Sequence, residues 1–573
     1  MPRANERVEA LLLEYADLLA ISGGDPFKPR AYEKAARSIG GYHADVAGMD
    51  LKALQGIPSV GKSIAEKVLE FLETGQVEAV EDLRAEIPAG VRELMDIPGL
   101  GPKKALVLYQ EVGIASVPEL SEAIRDGRLK GMKGFGAKSE ENILRGIELM
   151  QAAGERVLIS TAMEIAEEFV AALKGVRGVR RCTYAGSLRR MRETIGDIDI
   201  LVASENAVPI MDAFIDFPGV DEVIAHGETK TSIRTSKGLQ IDLRVVPPGT
   251  WGAALVYFTG SKAHNIRVRE YAVRGKLKLS EYGLFHADTE KLIVAETEEE
   301  VYGRLGMDWI PPTLREDRGE VEAALAHELP DLIQEKQIRG DLHTHTNLTD
   351  GLASLEQMIA TARDRKYVYY AVTDHAPNLY MQRMTDEKIL AQRRQLAKLS
   401  EKEKMTLLHG TELNIDPEGG VDWDGEFLSG FDVTVASVHS LFNQSKDEMT
   451  RRIVRACENP YVNIIGHPTG RKILTRSPFE FDVDEVFAAA ARTGTALEIN
   501  SYPDRLDLRD EHIMWAKRHG VKFSIDTDSH STVHLDFLRY GVGTAQRGWL
   551  TKDDVINTWP LTRLRKFLKK GRD

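Results

Sequence analysis

The sequence predicts a multidomain chain with an all-helical head, an α+β middle and a C-terminal α/β domain built as a distorted, TIM-like β/α barrel. Three observations carry that prediction. At 573 residues the chain exceeds what one core organises, since domains run to about 150 residues each. Residues 1–150 show helical periodicity broken by Gly and Pro, and one short pattern recurs there three times. Beyond residue 339, short apolar strands alternate with helices, and many strand ends carry His, Asp or Glu. A parallel barrel presents polar residues on one face in this way.

Composition narrows the class. With 42% apolar and 28% charged residues the chain is ordinary for globular domains, and no apolar run approaches the ~20 residues of a membrane span. The N-terminal MPRANERVEALLLEYADLLA threads charges through its apolar positions, which reads as an amphipathic helix rather than a signal peptide. A cytoplasmic location is the expectation. Only Cys182 and Cys457 are present, so a disulfide framework or thiolate zinc site is excluded, and any metal must be held by His and carboxylate. The net charge of −13 argues against coating nucleic acid by bulk electrostatics, though not against local sites.

In the head, LQGIPSVGKSIAEKVL (54–69), LMDIPGLGPKKALVLY (94–109) and LKGMKGFGAKSEENIL (129–144) each read as an apolar approach, a Gly turn and a helix start. Free backbone N–H groups and the positive end of a helix dipole suit a phosphate. The three copies resemble helix-hairpin-helix elements, which hold the DNA backbone without reading bases. The candidate DNA contacts are Gly61, Lys62, Gly99, Gly101, Lys103, Gly134 and Gly136. Backbone amides would let an acidic chain bind DNA.

The middle begins with CTYAGSLRRMRETIGDIDILVAS (182–204), a strand, a Gly-Ser turn, a basic helix start and a second strand. Strand alternation puts Asp197 and Asp199 on one face, where two carboxylates repel unless a cation lies between them. In LQIDLRVV (239–246), Asp242 interrupts an apolar strand; buried strands seldom hold an unpaired Asp, so it is expected beside the first pair, completing a two-cation site. Gly186 and Ser187, followed by Arg189 and Arg190, could grip nucleotide phosphates. Together these parts form a phosphoryl-transfer apparatus.

With YFTGS (257–261), Asn265 and Arg269 added, the order GS, DxD, D, YFTGS, N, R resembles the family X DNA polymerases, related to DNA polymerase beta, over most of residues 1–315. The resemblance implies that Asp197, Asp199 and Asp242 bind two Mg or Mn ions and that Asp242 helps deprotonate the primer 3′-hydroxyl. Gly186, Ser187 and Arg190 would hold the triphosphate. Tyr257, Phe258 and Gly260 would shape the sugar site, and Asn265 and Arg269 would touch the nascent base pair. The sequence departs from the family at Gln240, where an Arg is expected, and at Lys262, where an acidic residue is. In GKSIAEKVLEF, Lys67 aligns with the Schiff-base nucleophile of the family's deoxyribose-phosphate lyase, and Lys28 with a phosphate-binding lysine. Ser63 stands where the family has another lysine. Lys62 could lower the pKa of a neighbouring amine; the alternative is that Lys67 only contacts phosphate.

The last third opens on DLHTHTNLTDG (341–351) and continues with VTDHAP, HGTELNI, VASVHS, IIGHP and SIDTDSH. If DLHTH ends a strand, Asp341, His343 and His345 share a face. The series resembles the PHP (polymerase and histidinol phosphatase) family across residues 339–573. That resemblance implies three metals. One takes His343, His345 and Asp528; a second takes His439 and His467, with Glu412 bridging the two; a third takes Asp350, His375 and His530. Asp341 would orient a ligand histidine, and Asp526 would be left outside. Imidazole and carboxylate suit Mn, Zn or Fe without choosing among them.

The division expected is a lyase-like helical domain at 1–90, a second hairpin region at 91–153, a nucleotidyltransferase palm at 154–247, a thumb at 248–315, a charged, helical connector at 316–338 and the PHP domain at 339–573. The function implied is gap filling in DNA repair, with 3′–5′ trimming in the PHP domain. Expected partners are gapped or nicked DNA and deoxynucleoside triphosphates, with other repair proteins as candidates, on a monomeric, nucleoid-associated chain. A nucleotidyltransferase acting on RNA or a small molecule beside a phosphatase, and a non-catalytic repair scaffold, are the alternatives.

Overall fold

A computed structural model describes residues 4–570 apart from 23, 24, 26, 41, 43, 88, 96, 98, 99, 133, 137, 138, 142, 145 and 148–155. In the head, the helix Ala4–Ser22 packs along Phe27–Gly40, and Leu12, Leu18 and Ile39 are closed off from water. The helices Lys62–Thr74 and Pro102–Val112 start from Gly61 and Gly101 with nearly the same backbone, φ −78°, ψ 170° and φ −77°, ψ 170°. The repeated sequence therefore folds into a repeated turn. No helix among the described residues is long and apolar enough to cross a membrane.

The middle is built on a five-stranded sheet in the order Arg181–Tyr184, Asp197–Ala203, Gln240–Val246, Lys230–Thr235, Val220–His226. Only the pair Asp197–Ala203 and Gln240–Val246 is parallel. Its alternating Ile198, Ile200, Ile241 and Leu243 fill the core beneath the helix Ile159–Lys174. The helices Trp251–Thr259 and Lys262–Arg274 and a small antiparallel sheet follow. Residues 316–338 carry the helix expected of them, and they also pack on the preceding subdomain. They form the helix Glu320–Ala326, whose Val321 and Ala324 enter the core of the preceding subdomain. Glu320 is fully buried against His264 Nδ1 at 2.7 Å, and burial is tolerated because both groups are paired.

The last domain has six parallel strands in chain order, Tyr369–Val372, Thr406–Asn414, Val433–Ser437, Ile464–Ile465, Ala496–Asn500 and Phe523–Asp526. Residues 341–345 are not a regular strand. They run extended between the two outer strands, as the Ala371 N–H donates to Asp341 O and the His345 N–H to Ser529 O, and so curl the sheet towards closure. This domain is not tethered by one connection alone. Ile473, Leu506 and Tyr540 join the core of the five-stranded sheet, and Arg471 donates to Glu193 at 2.8 Å.

Candidate active sites

The parallel register sets Asp199 directly across from Asp242 and leaves Asp197 two residues away on the same face. Burial, then the neighbouring charges of Asp197 and Asp242, push the Asp199 carboxyl up to about 7. A carboxylate raised by two neighbouring carboxylates fits a divalent cation, which would relieve that repulsion. Burial also opposes ionisation of Asp242, but hydrogen bonds from Lys230, Gln240 and Ser232 outweigh it and hold that carboxyl below the usual range. Gln240 donates to Oδ1 at 2.8 Å and Lys230 reaches Oδ2 at 2.6 Å. The cation beside Asp242 thus comes from the adjacent strand, not from position 240. Sequence reasoning missed Lys230, whose partner lies on another strand.

Gly186 opens a short helix, Gly186–Arg189, against these carboxylates. At φ +59° it occupies the left-handed region, and a Cβ there would fall 2.3 Å from Asp199 Oδ2. Only glycine fits. The two arginines that follow divide. Arg189 is engaged within the protein, in a two-pronged bond to Glu298, 2.8 Å on each side, and with the Thr259 hydroxyl. Arg190 donates from Nη1 to Thr259 O at 2.5 Å and from Nε to Glu316 at 3.1 Å, and among the described residues its Nη2 takes no acceptor. Tyr257, Asn265 and Arg269 line one small recess, while the Phe258 ring lies under the Arg244 guanidinium, 4.5 Å away. Asn265 donates to Tyr257 O at 2.7 Å. Gly260 caps its helix at φ +67° and closes against Arg190.

In the C-terminal domain the strand ends gather the expected ligand types. His343, His345 and Asp528 offer atoms mutually within 4.8 Å; so do His345, Asp350, His375 and His530; so do His375, Glu412 and His439. His467 Nε2 lies 3.1 Å from Glu412 Oε1, as does His439 Nε2. The other oxygen of Glu412 faces His375 at 3.0 Å and His343 and His345 at 3.5 Å. His343 Nε2 and His345 Nε2 are buried without a directed hydrogen bond. Buried imidazole nitrogens that converge on carboxylates without bonding them fit metal ions. Burial would lower the His530 pKa, but Asp350 and Asp528 raise it to about 9, whereas burial and the Arg505 charge hold His467 at about 3. His467 and Asp528 sit at positive φ, 28° and 51°, a strain that clusters at functional sites.

Asp341 does not orient an imidazole. It accepts from the Thr527 hydroxyl at 2.6 Å and from the His343 backbone N–H. Orientation falls to residues that sequence reasoning missed: Glu498 accepts from His343 Nδ1 at 2.7 Å, and Asn414 Oδ1 pairs with His439 Nδ1 at 2.8 Å. Asp374 accepts from Thr346, Thr349 and Gln392 and so ties down the loop bearing Asp350. Asp526 turns to the Leu342 N–H and Asn557. All the candidate ligands but His343 and His345 line a cleft of about 1370 Å³ whose other walls come from the head and the five-stranded subdomain.

In the head, Lys62 pairs with Glu66 at 3.8 Å and Lys67 meets Ser63 Oγ at 3.5 Å; Lys62 is thus engaged with a carboxylate rather than with Lys67. Lys28 is exposed near the start of its helix. Gly136 O accepts from the Ser139 and Glu140 amides, and Gly134 has φ +91°. Gly99 and the Lys103 side chain lie outside the described residues.

Residues 3–77 match a helix-hairpin-helix domain, 91–148 a SAM-like helix-hairpin-helix tandem, 254–316 the DNA polymerase beta thumb and 341–501 the PHP domain. A DNA polymerase/3′-5′ exonuclease, PolX, of Bacillus subtilis is 36% identical over 98% of both chains. A probable phosphatase of Thermoanaerobacter sp. is 30% identical over 40% of this chain and 94% of its own length, and rat DNA polymerase lambda 24% identical over 51% and 53%.

Proposed function

The chain belongs to the family X DNA polymerases that carry a C-terminal PHP domain, and from that premise we propose how its two sites share the work of a gap-filling repair polymerase and a 3′–5′ exonuclease. Nucleotide addition takes place at Asp197, Asp199 and Asp242; trimming takes place among the imidazoles around Glu412. The observation that carries this reading is the separation of the ligand sets, one on a mixed five-stranded sheet and the other at the ends of six parallel strands.

Divalent cations, two Mg or Mn ions at the first site and up to three Mn, Zn or Fe ions at the second, would supply Lewis acidity to both reactions. The protein contributes the rest. Ser187 and Arg190 hold the triphosphate, Arg190 through its uncommitted Nη2. Lys230 and Gln240 fix the Asp242 carboxylate, which receives the primer hydroxyl proton. Tyr257 and Phe258 bound the sugar, and Asn265 and Arg269 the nascent pair. At the PHP site, Glu498 and Asn414 orient His343 and His439. The amides after Gly61, Gly101 and Gly136 hold DNA phosphates, with Lys28 and Lys62 adding charge at the first hairpin. Lys67 is proposed as a lyase nucleophile; its check is a borohydride-trapped crosslink to a cleaved abasic site that disappears in Lys67→Ala, and absence of any trap in the wild type leaves it a phosphate contact.

The test of the whole reading is a labelled one-nucleotide gap, with Mg or Mn, with and without nucleotides. Extension by one residue with nucleotides and shortening of the 3′ end without them are expected. Failure to extend would remove the polymerase assignment, and hydrolysis of small phosphate esters without shortening would make the second site a phosphatase.

A further inference from the structure

The loop Gly186–Glu193 grips from one side and is itself held from the other. Its outer face lies against the helix Leu538–Arg547 of the PHP domain. Arg547 is 4% exposed; its Nη1 donates to Arg190 O at 2.8 Å and to Glu316 Oε1 at 2.8 Å, and its Nη2 to Asp510 Oδ2 at 2.6 Å. The same Glu316 Oε1 accepts from Arg190 Nε at 3.1 Å. Main chain and side chain of Arg190 therefore both end on Arg547, one directly and the other through a shared carboxylate. One turn earlier Met191, at φ +56°, packs on Gly543 so closely that a Cβ there would lie 2.5 Å from Met191 Cε. The contact is a fitted one.

We propose that Arg547, in the PHP domain, is a positioning residue for nucleotide addition, fixing Arg190 so that Nη2 meets the incoming triphosphate. A planar guanidinium can satisfy three acceptors in a fixed fork, which a lysine cannot. With Nε and Nη1 of Arg190 already bound, the remaining direction is set before the nucleotide arrives, and binding pays less ordering entropy. On this account the exonuclease domain is part of the polymerase's nucleotide pocket. The inference rests on the proposed role of Arg190.

The test uses full-length Arg547→Ala, Arg547→Lys and Arg190→Ala on gapped DNA with Mg, reading nucleotide KM and kcat, inhibition by pyrophosphate, exonuclease rate and Tm. Arg547→Ala should raise nucleotide KM on the order of tenfold, the loss of a bond to a charged group. It should weaken pyrophosphate inhibition in step and leave the exonuclease unchanged. Arg547→Lys should fall between, since it keeps the charge but not the fork. A role confined to gluing the domains together would lower Tm without moving pyrophosphate inhibition. Arg190→Ala separates the layers: if it raises KM and a folded Arg547→Ala does not, the positioning role is overturned, and if it too leaves KM unchanged, the triphosphate reading falls and takes the inference with it. Should Arg547→Ala fail to fold, an unchanged KM in Arg547→Lys overturns the inference equally.

Discussion

Glu412, 1% exposed, stands between five imidazoles and is the shared partner of two sides of the PHP site. Glu412→Gln keeps its shape and removes its charge. The expected result is loss of bound metal, read by elemental analysis of purified protein, together with loss of exonuclease but retained nucleotide addition. A quieter residue is one of several buried histidines that make the same domain acid-sensitive. His409 stacks on Phe431 with centroids 5.0 Å apart and accepts from Arg393 Nε at Nδ1, so it must be neutral there. Burial, then the Arg393 charge, lowers its pKa from 6.5 to about 3. The unfolded chain takes up the proton first, so this group's contribution is full above pH 6.5 and is lost as pH falls towards 3. Between pH 6.5 and 5 the cost reaches about 2 kcal/mol. His409→Gln, which retains an acceptor, should flatten the fall in Tm over that window; an identical fall in both proteins would contradict the assignment. Several candidate ligands were legible because they stand where a short apolar run meets Gly, Ser or Pro, as His439 does before Ser440 and His467 between Gly466 and Pro468. Glu498 was not singled out, although ALEIN carries the same signal that marked Asp242, a carboxylate inside an apolar strand. What distinguished them was only that Asp242 had a partner motif nearby in the chain.

Two kinds of glycine turn separate at the scale of the element. Gly186 is demanded by the fold, through its left-handed φ and the Asp199 carboxylate against it. Gly186→Ala is therefore expected to cripple nucleotide addition while sparing the exonuclease, measured on one substrate with and without nucleotides. Gly61 and Gly101 are different. Their φ is ordinary and nothing lies within 4 Å of a Cβ placed on either. Folding leaves that space open, which is what close approach of a phosphate requires. The double variant Gly61→Ala, Gly101→Ala should weaken binding of gapped DNA several-fold with Tm nearly kept, since alanine in place of a helix-capping glycine costs about 1 kcal/mol or less per helix. Unchanged DNA affinity would remove the hairpins from the interface. Periodicity and turn residues made these elements readable. In 316–338 the helix was readable but its packing was not, because its charges suggested solvent while Glu320 is buried on His264, whose place in the fold only tertiary packing determines.

At the scale of the molecule, the domains can be named from contiguous motifs, but their docking cannot. Arg471 meets Glu193 across 278 residues and Arg547 meets Arg190 across 357, and no local pattern announces either pair. The five-stranded subdomain and the PHP domain share a core while keeping their candidate ligands apart, and the proposal is that one chain runs two independent chemistries. The direct measurement compares His439→Ala and Asp199→Ala with the wild type on one labelled, mismatched primer, following extension and shortening in the same gel with Mg or Mn. His439→Ala should extend and not shorten, and Asp199→Ala should shorten and not extend. Loss of both activities in either variant, or survival of both in either, would contradict the claim.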